Sequence, residues 1–213
     1  MKKQNLLWVL SITFCVLLIL SNIIANRLFL LFGLTLPSAV IVFPLTYIIG
    51  DMVAEIYGFK TTRKLIIAAL ILNIVFAGFG YLASILPSLP IGNEEAFATV
   101  FAVAPRTVGA SIVGFFVGSL TNAFIMTRLK KRAKNKQGKA GLFARIIGST
   151  IVGEALDTII FITLNFAFGD IKWSMIFTMI AAQFAVKVIY EVTISPITVG
   201  IISSKKVQRL LEN

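Results

Sequence analysis

RIIGSTIVGEALDTIIFITLNFAF, residues 145–168, is apolar over a length that crosses a bilayer, yet it carries Glu154 and Asp157 near its middle. A spanning helix needs about 20 predominantly apolar residues, because each adds ~1.5 Å toward a hydrocarbon core about 30 Å thick. Counted from Arg145, Glu154 lies about 13 Å deep and Asp157 about 18 Å. A charged side chain at the centre of a lone helix costs roughly 2.5–3.5 kcal/mol, so the two acids mark a polar site within a bundle and not a stabilising feature. Spaced i and i+3, they share one helix face. There they repel unless one is protonated, or a cation or a set of hydrogen-bond donors lies between them.

The rest of the chain has the same character. Of its 213 residues 58% are hydrophobic, with a mean hydropathy of +0.94, against about 45–50% apolar residues in water-soluble domains. Apolar windows fall at 6–26, 37–57, 63–86, 105–127, 145–168 and 173–202, and all six predict helices. The expected fold is an all-α integral membrane protein, with six transmembrane helices in one bundle forming a single domain over 1–213. No length remains for a soluble catalytic head, so an enzyme is not expected. Lys2 and Lys3 precede the first window, but its apolar run outlasts a signal-peptide core of ~7–15 residues, which predicts a retained helix. Histidine is absent, removing the commonest general base and metal ligand; neither a cofactor nor a metal is expected. Cys15 is the single cysteine, so no internal disulfide forms.

The formal charge of +11 does not imply nucleic acid, because the basic residues cluster between spans. Lys60, Arg63 and Lys64 follow span two, a run from Arg128 to Lys139 follows span four, and Lys205, Lys206 and Arg209 follow span six. Positive residues hold loops on the cytoplasmic side, which predicts cytoplasmic N and C termini in an inner membrane. The opposite side is expected to hold Arg27, Arg106, Lys172 and a turn-rich connection at 87–98, with Pro87, Pro90 and Gly92. Residues 130–141 form a Lys-rich linker suited to anionic headgroups. Gly50-Asp51 and Gly153-Glu154 recur in spans two and five, which run in opposite directions; that is compatible with a 3+3 inverted repeat.

Other spans also carry buried polar candidates. Counted from Trp173, Gln183 is about 15 Å deep and Lys187 about 21 Å; counted from Pro37, Asp51 is also about 21 Å deep. Their common level makes an Asp51–Lys187 salt bridge the leading expectation, with Glu191 an i,i+4 alternative for Lys187. Asn73 and Asn165 are expected to hydrogen-bond between helices, and Gly109, Gly114, Gly118, Gly148 and Gly153 to let spans four and five approach closely. Pro44 and Pro196 fall inside spans two and six, where a proline kinks a helix.

Taken together, FPLTYIIGDMVAEIYG at 43–58, TTRK at 61–64, APRTVGASIVGFFVGSLTN at 104–122, STIVGEALDTIIF at 149–161 and FAVKVIYE at 184–191 resemble the queuosine precursor transporter family, also called the vitamin uptake transporter family. The resemblance runs from about Asn22 to Pro196. It implies a six-helix inner-membrane importer of 7-cyano- or 7-aminomethyl-7-deazaguanine. By motif match the family's characteristic positions fall on Asp51, Arg106, Ser149, Asp157 and Lys187. GSLTN departs from the expected pattern, which has a Gln and an acidic residue at Ser119 and Asn122, and this bears on the ligand.

The residue types suit such a solute independently. A guanine-like edge presents two adjacent donors, which one carboxylate accepts together; Glu154 or Asp157 has that capacity. The ring carbonyl needs a donor, available from Gln183, Asn122 or Lys187. Phe161, Phe184 or Tyr190 offers a stacking face. The candidate substrate-binding set is therefore Glu154, Asp157, Gln183, Asn122, Lys187 and Asp51, with Arg106, Glu55, Ser149 and Glu191 as structural or gating residues. The expected partners are the deazaguanine, the lipid bilayer and a second copy in a homo-oligomer, with no nucleic acid. No GxxxxGK[ST] is present, so a P-loop ATPase is not expected. The competing function is a substrate-binding subunit of an energy-coupling-factor vitamin importer, which requires separate ATPases.

Overall fold

The computed structural model describes residues 3–87, 94–101, 104–132, 138–167, 171–204 and Val207. Its elements are α1 (Lys3–Ile24), a hairpin of β1 (Leu28–Leu31) and β2 (Leu34–Pro37), a 3-10 turn (Ser38–Ile41), α2 (Phe43–Tyr57), α3 (Phe59–Ser84), α4 (Glu94–Phe101), α5 (Ala104–Arg132), α6 (Lys139–Phe166) and α7 (Trp173–Ile202). Lys2, Pro90, Gly92, Lys134, Lys136, Lys205, Lys206 and Arg209, on which charge and loop expectations rested, lie outside the described residues.

Among the described residues five stretches are long and apolar enough to cross a membrane: α1, α3, α4 with α5, α6 and α7. Their outward faces are covered with side chains such as Ile12, Val16, Phe79 and Ile189, which remain exposed in the isolated chain. That is the surface a lipid-embedded bundle presents.

Span two departs from the expectation. Residues 37–57 do not form one helix; α2 begins at Phe43 and has 15 residues, about 22 Å at ~1.5 Å each and short of a ~30 Å core. Two prolines account for the boundary. Pro37 ends β2 and precedes the 3-10 turn; Pro44 sits in the first turn of α2, where its missing N–H costs nothing and its fixed φ suits the helix. The expected kink at Pro44 is thus a helix start, while Pro196 does lie inside α7. The β1–β2 hairpin, unanticipated in an all-α fold, turns on Phe32 (φ 50) and Gly33 (φ 80). Two successive positive φ values are the requirement of a tight two-residue hairpin loop. Part of the expected connection at 87–98 is also helical, since α4 starts at Glu94.

α2 and α3 are separated by Gly58 alone, at φ 79 and ψ 171, backbone that essentially only glycine adopts. The chain therefore reverses there, bringing the end of α2 to one end of the bundle. The Tyr57 hydroxyl donates to the Lys3 carbonyl at 2.6 Å, and Glu55 pairs with Lys130 and Arg145. Leu142, Ile146, Val199 and Ile202 share one apolar cluster with Leu10 and Phe14. The start of α1 and the end of α7 consequently lie at the same end.

α5 and α6 make the most extensive helix contact, and glycine is the reason at three of the five predicted positions. A Cβ on Gly118 would stand 2.6 Å from the Gly153 carbonyl oxygen, and one on Gly153 would stand 2.7 Å from Asn122 Cβ. At Gly114 the nearest atom, 3.0 Å away, is the Asp157 carbonyl oxygen. Gly109 and Gly148 face open space instead, so they contribute nothing to the close approach.

Candidate functional site

α6 and α7 each turn a polar stripe into the bundle. On α6 Arg145, Ser149, Thr150, Glu154, Asp157, Thr158 and Asn165 are buried, repeating every three or four residues along one face. On α7 Gln183, Lys187, Glu191, Ser195 and Thr198 do the same. Where these buried side chains have partners, they find them on one another, on α2 and α5, and at Asn26 before the hairpin.

The charged centre is Lys187. Its Nζ donates to Asp157 Oδ2 at 2.7 Å and to Thr158 Oγ1 at 3.2 Å, and it stands 4.2 Å from the centre of the Phe43 ring. An ammonium withdrawn from water needs such compensation: a close anion, a second acceptor and the negative face of an aromatic ring.

Asp51 is not the partner of Lys187. Its Oδ1 accepts from Asn122 Nδ2 at 2.7 Å and its Oδ2 from Thr150 Oγ1 at 3.2 Å. The expectation failed through the misplaced start of α2, because counting depth from Pro37 treated the hairpin end and the 3-10 turn as α-helix. The observed partner on α6, Thr150, is seven residues before Asp157, about 10 Å along the axis. Glu191 likewise turns away from Lys187; its Oε1 accepts from Ser195 Oγ at 3.1 Å.

The predicted binding residues therefore separate into two groups. Asp157, Lys187 and Gln183 line a cleft together with Phe161, Phe43, Asn22 and Ala39. Gln183 Oε1 has no hydrogen-bond partner among the described residues. Asn122 lines a second, smaller hollow with Tyr47, Ser119 and Gly50 and, through its bond to Asp51, belongs to the lower group. Glu154 is fully buried between the two and lines neither. Of the proposed stacking rings Phe161 faces the cleft, whereas Phe184 and Tyr190 do not line it.

The residues assigned to structure or gating also divide. Glu55 Oε1 is bridged by Lys130 Nζ at 3.2 Å and Arg145 Nη2 at 3.1 Å, tying the end of α2 to α5 and α6. Ser149 bonds back to the Arg145 and Ile146 carbonyls of its own helix; its neighbour Thr150 is the one that reaches Asp51. Arg106, in the first turn of α5, is exposed and away from the cleft. Toward the other end, Asn26 Oδ1 accepts from Thr107 Oγ1 at 2.9 Å, and Thr107 also reaches Asn165 Oδ1 at 3.2 Å. Asn22 Nδ2 donates to Asn73 Oδ1 at 2.7 Å. Asn73 and Asn165 thus bridge helices as expected. Thr150, Thr158 and Phe43 were not anticipated. Thr150 and Thr158 fall four residues either side of Glu154, a spacing that alone would have placed them on its face.

A family model described as "Putative vitamin uptake transporter" matches residues 37–201, a stretch that includes all of the charged residues at the two polar groups. No curated protein and no solved structure matches the chain.

Proposed function

The chain belongs to the vitamin uptake transporter family, and from that premise we propose that it imports queuosine precursors, 7-cyano- or 7-aminomethyl-7-deazaguanine, across the inner membrane by secondary or facilitated transport. One observation carries the assignment: an acidic acceptor, two donors and two aromatic rings, from Asp157, Lys187, Gln183, Phe43 and Phe161, line one cleft among helices that are otherwise apolar. In this pose the Asp157 carboxylate accepts the adjacent ring N–H and exocyclic amine of the solute. Gln183 or Lys187 donates to the ring carbonyl, and the phenyl rings flank the flat heterocycle.

The cleft is closed to little more than the size of a water molecule, far below the ~300–1,000 Å³ usual for occupied ligand sites. Loading it requires the surrounding helices to part. Two ties flank the cleft along the axis, Glu55 with Lys130 and Arg145 at one end and Asn26 with Thr107 and Asn165 at the other. Opening one while the other stays closed is the alternation that a midplane carrier needs. In this reading both termini are cytoplasmic, because basic residues hold loops on that side. Six crossings require α2, with the 3-10 turn before it, to count as the remaining span.

The deciding experiment is queuosine formation in cells unable to synthesise the precursor, expressing this chain and supplied with each deazaguanine in turn. Rescue by at least one establishes the function; no rescue by either, with the chain in the membrane, rejects it. Uptake by the purified chain in liposomes separates an autonomous carrier from a subunit that requires ATPases.

A further inference from the structure

Among the described residues five carboxylates are buried, Asp51, Glu55, Glu154, Asp157 and Glu191, with two cations, Lys187 and Arg145. Four of these acids have protein partners, Glu55 in Lys130 and Arg145. Asp157 holds Lys187, Asp51 accepts from Asn122 and Thr150, and Glu191 accepts from Ser195. Glu154 has none, for both its oxygens are sealed from solvent without a hydrogen-bond partner among the described residues.

Charges of both signs surround it. Lys187 and Glu191 face it from α7, Asp157 from its own helix, and Asp51 and the Tyr47 phenol from α2. The α5 face packed against this turn carries Gly114, Gly118 and Asn122, none charged. The cation that faces it, Lys187, is already committed to Asp157 at 2.7 Å. An ionised carboxylate sealed in this position would lack both a donor and a counter-ion of its own, a cost that a protein avoids by keeping the group protonated. Among the described residues no three acids converge closely enough to hold a metal ion.

We propose that Glu154 carries an exchangeable proton whose binding is linked to that of the solute in the Asp157–Lys187 cleft, making the chain a proton symporter; this rests on the transport function proposed above. Glu154 lies one turn from Asp157 on α6. When ionised, it draws the Lys187 ammonium into a bridge between both carboxylates, pulling it out of the cleft. A proton taken from the outer solution onto the Glu154 carboxylate removes that second anion and leaves Lys187 on Asp157, the arrangement seen here. Solute and proton then favour the same state, and each raises the affinity for the other by the same factor. Release of both inside returns Glu154 to the carboxylate.

The test uses the full chain reconstituted in liposomes, with 7-cyano-7-deazaguanine as the probe, and Glu154→Gln. Wild type should accumulate the probe when the outside is acidic and lose that accumulation with a protonophore, its affinity rising by up to about tenfold per pH unit, the limit for one linked proton. Glu154→Gln should still exchange the probe, at a rate independent of pH, and should not accumulate it. Accumulation by the variant, or protonophore-insensitive accumulation by wild type, overturns the inference. Infrared difference spectra supply a readout that needs no solute: a protonated-carboxyl band at neutral pH should be present in wild type and absent from Glu154→Gln, and its absence from wild type also overturns the inference. Failure of wild type to exchange either deazaguanine rejects the transport assignment, while the infrared band still decides the protonation of Glu154. Should Glu154→Gln not fold, Glu154→Asp should keep accumulation with a displaced pH midpoint; an undisplaced midpoint counts against the proposal.

Discussion

Lys187 Nζ and Asp157 Oδ2 are 2.7 Å apart, with both side chains almost wholly withdrawn from solvent, and the pair joins α7 to α6 at the floor of the cleft. Removing one partner leaves an uncompensated buried charge, which costs about 3–5 kcal/mol where it has been measured. Asp157→Asn and Lys187→Gln are each expected to lower the unfolding temperature in detergent and to abolish uptake. The double variant should be more stable than the sum of the two losses implies, yet remain inactive. Asp51 with Lys187 should instead add to within about 0.5 kcal/mol, as groups without shared partners do. Thermal unfolding of the two cycles distinguishes these outcomes.

Gly118 predicts the tightest constraint on α5 and α6. A methyl group there would stand 2.6 Å from the Gly153 carbonyl oxygen and from the Tyr47 hydroxyl, and the backbone carbonyl has no rotamer to yield. Gly118→Ala should therefore destabilise by about 1–3 kcal/mol, the usual cost of overpacking. Gly109→Ala and Gly148→Ala, facing open space, should be neutral or stabilise by up to about 1 kcal/mol through the lower helix propensity of glycine. Unfolding temperatures of the three variants check the contrast.

Composition and period made the membrane class, the long helices and the inward face of α6 legible, because burial of one stripe and exposure of the rest to lipid leave a direct mark on residue order. Partner choice was another matter. Depth counted along a helix is only as good as its assumed start, and Pro37 and Pro44 moved the start of α2 by six residues, enough to detach Asp51 from Lys187. Thr150 and Thr158 were passed over because a threonine in an apolar helix is unremarkable until a carboxylate or ammonium is found opposite. The hairpin was hidden by composition, since Leu28–Leu31 and Leu34–Pro37 are as apolar as the spans around them, and Phe32-Gly33 is not one of the commoner hairpin loops.

Glu55 binds two cations of unequal exposure, Lys130 about one third exposed and Arg145 nearly buried. Exposed ion pairs contribute about 0–1 kcal/mol, whereas breaking a buried one costs several. Lys130→Met should leave stability within about 1 kcal/mol of wild type, its residual effect vanishing in high salt. Arg145→Met should cost about 3 kcal/mol or more and resist salt. Equal effects of the two variants on unfolding temperature, at low and high salt, would show that the clamp does not depend on burial.

Gln183 supplies a test of what the cleft reads. It is buried, its Oε1 is unpartnered among the described residues, and it lines the same opening as Asp157 and Lys187. If its amide donates to the ring carbonyl of a guanine-like solute, Gln183→Leu leaves that oxygen buried and unsatisfied, at a cost of about 1–3 kcal/mol, or roughly 5- to 150-fold in affinity. A deazapurine without the carbonyl has nothing to lose there, so its binding should change by less than about threefold. Stability should hold, since no hydrogen bond of the Gln183 side chain to the described residues is lost. Competition of each compound against labelled 7-cyano-7-deazaguanine in wild type and Gln183→Leu measures the ratio; equal weakening of both would take Gln183 out of solute recognition and leave it a packing residue of α7.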